Sequence, residues 1–150
     1  MKLAYALTER ADLQKRLAQL ETRLMNNAKV QEGETPAEDP QALLKELDGI
    51  MKQLEDLIGR INHTNSVTMD NGESLTALLA RRDCLNQRVH ILRNFLNSAS
   101  STVSRATRSE IKIKSTVSVA DLQKDVDRMS RELRELDGRI QALNWTTELL

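Results

Sequence analysis

The chain has little of what most chemistry and most membrane insertion require. It holds one cysteine, two prolines, five glycines and three aromatic residues, Tyr5, Phe95 and Trp145, in 150 residues. A single cysteine, Cys84, excludes an intrachain disulfide and points to a reducing compartment, with the thiol as a small core residue. Five scattered glycines form no phosphate-cradling loop. Three aromatics are too few for a base-stacking platform. No apolar run approaches the roughly 20 residues of a membrane span. The first 16 residues mix charges with leucines, unlike the apolar centre of a signal peptide, so the expected address is cytoplasmic.

Catalytic groupings are equally scarce. His63 and His90 lie in different segments, without a neighbouring Cys/His cluster or a His-x-x-x-His pair to put two ligands on one helical face. No Gly-x-Ser-x-Gly elbow marks out a nucleophilic serine, and acidic pairs such as Glu55-Asp56 read as solvated helix positions. The expectation is therefore no catalytic residue, no metal site, no cofactor and no enzyme activity.

What the chain does have is apolar residues at alternating four- and three-residue steps. The cleanest run is Leu122, Val126, Met129, Leu133, Leu136, Ile140 and Leu143. A mean step of about 3.5 residues keeps these side chains on one stripe of a helix, and such a stripe needs another helix to cover it. Three further stripes precede it. One is Leu3, Leu7, Leu13, Leu17, Leu20 and Leu24, broken by Arg10, with Ala4, Ala11 and Ala18 as a narrow strip for close helix approach. The next is Leu43, Leu47, Ile50, Leu54, Leu57 and Ile61, widened by Leu44, Met51 and Ile58. Another is Leu75, Leu78, Leu85, Val89, Leu92, Leu96 and Ala99, interrupted by Arg82 and broadened by Leu79, Ile91 and Phe95.

Punctuation sets the boundaries. Gly33, Pro36 and Pro40 break the chain after Asn26, and Asp39 with Pro40 makes a favourable cap and first helical position. Asn71-Gly72 signals a tight turn with positive φ angles. Ser118 to Asp121 resembles a capping box with Asp in place of Glu. The alternation of Ile111, Ile113, Ser115 and Val117 with Glu110, Lys112, Lys114 and Thr116 predicts a strand over 109–118. A lone strand is unstable, so it needs residues 28–32 or the same strand of a second chain. The expected fold is mainly α: one domain, an antiparallel four-helix bundle with helices near 2–26, 40–63, 75–98 and 119–147, and a minor β element.

Charge is balanced overall, with 22 basic and 22 acidic residues, but not locally. Residues 32–56 carry eight acids and two lysines, and residues 81–114 carry eight bases and two acids. Such segments read as solvated faces of opposite sign, or as surfaces for self-recognition between copies. The strand candidates place an interface at Lys29, Val30, Glu32, Glu110, Ile111, Lys112 and Ile113. The alternative is phosphate contact through Arg105, Arg108, Lys112 and Lys114.

The segments Leu7–Arg16, Asn27–Glu34 with Ala37–Pro40, Ser109–Lys112 and Asn144–Leu149 together resemble a family of short bacterial proteins often labelled septicolysin. The resemblance covers nearly the whole chain. It implies a helical, oligomer-forming protein and supplies no catalytic residue. The label itself implies a cholesterol-dependent pore-forming toxin, a larger β-rich class with a tryptophan-rich loop, whereas this chain has one tryptophan.

Overall fold

Two of the helices begin where a local side chain satisfies an early backbone N–H group. In the computed structural model, which describes residues 1–101 and 111–150, the Asp39 carboxylate accepts from the Gln41 N–H at 3.0 Å and Pro40 opens the second helix. The Ser118 hydroxyl accepts from the Asp121 N–H at 3.4 Å at the start of the last one. Among the described residues there are four helices: α1 (Leu3–Asn26), α2 (Pro40–Val67), α3 (Leu75–Ser100) and α4 (Val119–Thr146). The fold is mainly α, as the stripes predict, with a minor β element.

That element lies elsewhere than expected. It is a hairpin of β1 (Met69–Asp70) and β2 (Glu73–Ser74), pairing Met69 with Ser74 and Asp70 with Glu73. Its turn is Asn71-Gly72, with φ of 51° and 83°. These left-handed values match the right-handed twist of a hairpin and suit Asn and Gly. The predicted strand does not form over residues 111–118, and residues 28–32 are also irregular. Alternation of apolar side chains gives a strand only when a second backbone supplies hydrogen bonds, and among the described residues neither segment has such a partner.

The contacts divide the chain into two units, Met1–Ser74 with Leu143–Leu150, and Leu75–Ala142. In the first unit α1 and α2 run antiparallel, burying Leu3, Ala6, Leu13 and Leu20 of α1 and Leu43, Ile50, Leu54, Leu57 and Ile61 of α2. In the expected alanine strip, Ala11 and Ala18 face solvent and Ala4 is half-buried, whereas Ala6 is fully buried. In the second unit α3 contributes Leu75, Leu78, Val89 and Leu96, and α4 contributes Val126, Met129, Leu136 and Ile140. Two cross-links set their antiparallel register. Arg93 Nη2 donates to the buried Ser130 hydroxyl at 2.9 Å, which in turn donates to the Val126 carbonyl at 2.7 Å. Arg82, the interruption in the α3 stripe, reaches Asp137 at 3.5 Å and Asp83 at 3.3 Å. Cys84, expected in the core, is exposed. It falls on the solvent side of α3 with Arg88 and Ile91, so its small apolar character does not decide its burial.

The first unit closes on itself through a clasp of chain ends. The Leu3 N–H donates to Thr147 O at 2.9 Å and the Leu149 N–H to Met1 O at 2.8 Å. Glu148 pairs with the Met1 ammonium at 3.0 Å and with Lys2 Nζ at 2.7 Å. The buried Thr64 hydroxyl donates to Arg60 O at 2.8 Å and accepts from the Leu150 N–H at 3.0 Å. Tyr5 and Trp145 meet edge to face, with centroids 5.5 Å apart.

Adjacent leucines of α2 provide a direct check on this packing. Leu43 is 3% exposed and Leu44 is 43% exposed. Leu43→Ala is expected to cost about 2–5 kcal/mol of stability. Leu44→Ala should cost no more than about 0.5 kcal/mol in urea denaturation at a concentration where the chain is monomeric. At the turn, Gly72→Ala meets open space but a left-handed φ, so a loss of about 1 kcal/mol is expected from backbone strain alone. For the clasp, hydrogen bonds from Lys2 and the terminal ammonium hold the Glu148 carboxyl below the usual glutamate value. Its contribution is therefore present at neutral pH and lost as acidification passes through that lowered value. Hydrogen exchange at the Leu3 and Leu149 amides should accelerate, relative to Leu20, between pH 6 and about pH 3 once intrinsic rates are divided out. Unchanged protection across that range would contradict the role given to Glu148.

Candidate functional site

The residues singled out from sequence fall on irregular backbone. In the first unit, Lys29, Val30 and Glu32 are exposed in the connection between α1 and α2. That connection is anchored from both ends. The Asn27 side chain donates to Arg23 O at 2.8 Å and accepts from the Glu38 N–H at 2.9 Å. Arg23 grips Glu38 with a shortest contact of 2.7 Å and reaches Glu46 at 3.4 Å. The guanidinium hydrogen bond holds the Glu38 carboxyl below its ordinary value. Arg23 therefore consumes part of the acidity of residues 32–56 within the chain.

In the second unit, Ile111 is 78% exposed and Ile113 is 49% exposed, with Lys112 and Lys114 exposed beside them. Glu110, Arg105 and Arg108 lie outside the described residues. Lys29, Val30 and Glu32 form no ladder with Ile111, Lys112 and Ile113, because neither segment is a strand. Instead Ile113 and Lys114 line an open cleft of about 230 Å³ with Phe95, Ser98 and Ala99 from the end of α3. A second cleft, about 270 Å³, lies between α3 and α4, where Arg81, Glu132, Glu135 and Arg139 surround Leu85 and Leu136. Both are smaller than the roughly 300–1,000 Å³ of small-molecule sites. Neither contains a histidine, cysteine or buried titratable group. Among the described residues no group of three or more His, Cys, Asp and Glu side chains could hold a metal. Among them, too, no helix is long and apolar enough to cross a membrane.

Large apolar side chains left in water define a different kind of site. On α2, Leu44 is 43% and Met51 is 46% exposed, and half-buried Ile58 extends the same row. Asp48 and Glu55 stand between these positions at four- and three-residue steps, so one edge of α2 reads apolar, acidic, apolar, acidic, apolar. On α3, Ile91 is 64% and Phe95 is 44% exposed, and Arg88 precedes them on the same face. The sequence pattern contains Leu44, Met51, Ile91 and Phe95 as stripe-widening residues. It does not show that one partner helix is too narrow to cover them. The third exposed group is Tyr5 and Trp145, 57% and 56% exposed, whose mutual contact reinforces the clasp.

Comparisons with known proteins agree with the architecture. No protein of curated function matches the chain. A crystal structure described as a functionally unknown conserved protein from Corynebacterium diphtheriae is 40% identical, with a TM-score of 0.94 over 100% of this chain and 99% of that one. The model of a family of unknown function, DUF6847, matches residues 10–149, and the chain belongs to that family.

Proposed function

We propose that this protein acts by binding protein, first of all further copies of itself, with no catalytic step of its own. The observation that carries the reading is the set of large apolar side chains held in water on regular helix: Leu44 and Met51 on α2, Ile91 and Phe95 on α3. Single exposed apolar residues are ordinary, but rows of them at helical spacing and rimmed by charge are typical of association surfaces. Two clefts below the usual size of small-molecule sites, neither with a buried titratable group, favour a contact surface over an active site.

Light scattering coupled to size exclusion provides the test. At micromolar concentration the expected mass is at least twice the 17.0 kDa of one chain. A chain that stays monomeric throughout that range overturns the reading. Two outcomes would replace it with another. The septicolysin resemblance implies dye release from cholesterol-containing liposomes. The basic segment implies nucleic-acid binding that weakens steeply with salt and disappears when Arg105, Arg108, Lys112 and Lys114 are neutralised.

A further inference from the structure

The two exposed rows carry charges of opposite sign. Along α2 the apolar residues Leu44, Met51 and Ile58 alternate with Asp48 and Glu55, both exposed and without an ion pair to another described residue. Along α3 the apolar residues Ile91 and Phe95 follow Arg88, likewise exposed and without an ion pair to another described residue. Several other charges of the two segments are already engaged, while Lys45 and Lys52 flank the α2 row. Glu38 and Glu46 hold Arg23, Arg82 holds Asp83 and Asp137, and Arg93 holds Ser130. What remains free in these rows is acidic on α2 and basic on α3.

Resting on the self-association reading, we infer that the contact between copies is heterologous: the Leu44–Asp48–Met51–Glu55 edge of α2 in one molecule seats on the Arg88–Ile91–Phe95 edge of α3 in another. Like rows do not fit each other as well. Two α2 edges would bring four carboxylates together, and two α3 edges would oppose arginines, whereas the mixed pairing sets Arg88 against Asp48 and Glu55 around an apolar centre. The rows share a four- and three-residue rhythm, so Leu44 and Met51 meet Ile91 and Phe95 by ordinary helix-on-helix packing. A heterologous contact uses two different surfaces of each molecule, so each copy offers one donor edge and one acceptor edge.

This geometry has a signature that an isologous contact lacks. In one variant, Leu44→Lys with Met51→Lys removes the α2 edge. In another, Ile91→Glu with Phe95→Glu removes the α3 edge. All four positions are exposed, and unchanged circular dichroism and urea midpoints should show that both variants fold. Each variant alone is expected to be monomeric by light scattering, while an equimolar mixture restores association, because the intact α3 edge of the first meets the intact α2 edge of the second. Raising salt should weaken both wild-type and mixed association, and Arg88→Glu should weaken wild-type assembly and be rescued by mixing with Asp48→Lys, Glu55→Lys. Wild-type chain that is monomeric overturns the self-association reading and this inference together. Wild-type chain that assembles while both variants also assemble, or while two monomeric variants fail to pair on mixing, overturns the heterologous contact and leaves self-association standing.

Discussion

Everything in this molecule depends on covering a narrow apolar stripe with another narrow apolar stripe. A helix with leucines every three or four residues gains little from water exclusion unless a second helix lies along it, so the antiparallel pair is the smallest stable arrangement such a sequence can adopt. Both units bury such stripes, Leu13, Leu20, Ile50 and Leu54 in one, Val89, Leu96, Val126 and Met129 in the other. Polar groups that fall inside are satisfied in place: Ser130 bridges Arg93 to a carbonyl of its own helix, and Thr64 bridges α2 to the chain end. Among the described residues no buried side-chain donor or acceptor lacks a partner.

Legibility follows the range of the interaction. The α4 stripe could be read directly, because Val126, Met129, Leu136 and Ile140 are buried and Leu122, Leu133 and Leu143 half-buried. Periodicity is a local property and survives without knowledge of the partner. The Asn71-Gly72 turn could be read for the same reason, since its φ values are set within two residues. Residues 111–118 misled because Ile111 and Ile113 carry strand-like side chains, while the hydrogen bonds that make a strand must come from a distant backbone. The clasp had no signal at all. Backbone bonds from Leu3 to Thr147 and from Leu149 to Met1 are indifferent to side-chain type. Arg23 shows the same limit among charges: its grip on Glu38 and Glu46 spans 15 and 23 residues, outside any helical spacing rule.

The candidate surface was half visible. Leu44, Met51, Ile91 and Phe95 stand out in the sequence as surplus apolar residues, and the acidic and basic segments that contain them stand out as counts of charge. Which charges are spent internally is decided by tertiary placement, and only that subtraction leaves Asp48, Glu55 and Arg88 available. The matching crystal structure and the DUF6847 family extend the architecture to relatives, while the surface argument rests on this chain's own residues.

The division of the chain has a consequence for the order in which it can be completed. The first unit consists of Met1–Ser74 together with Leu143–Leu150, so its final strip of backbone is made only after the whole of the second unit. A chain emerging from the ribosome can pair α1 with α2 early, but Thr64, the Leu3 N–H and the Met1 carbonyl wait for residues 147–150. Contacts so distant in sequence form late and slowly. One end of the first helix pair therefore stays unsealed until residues 147–150 have emerged, and these residues act as the latch that ends the exposure.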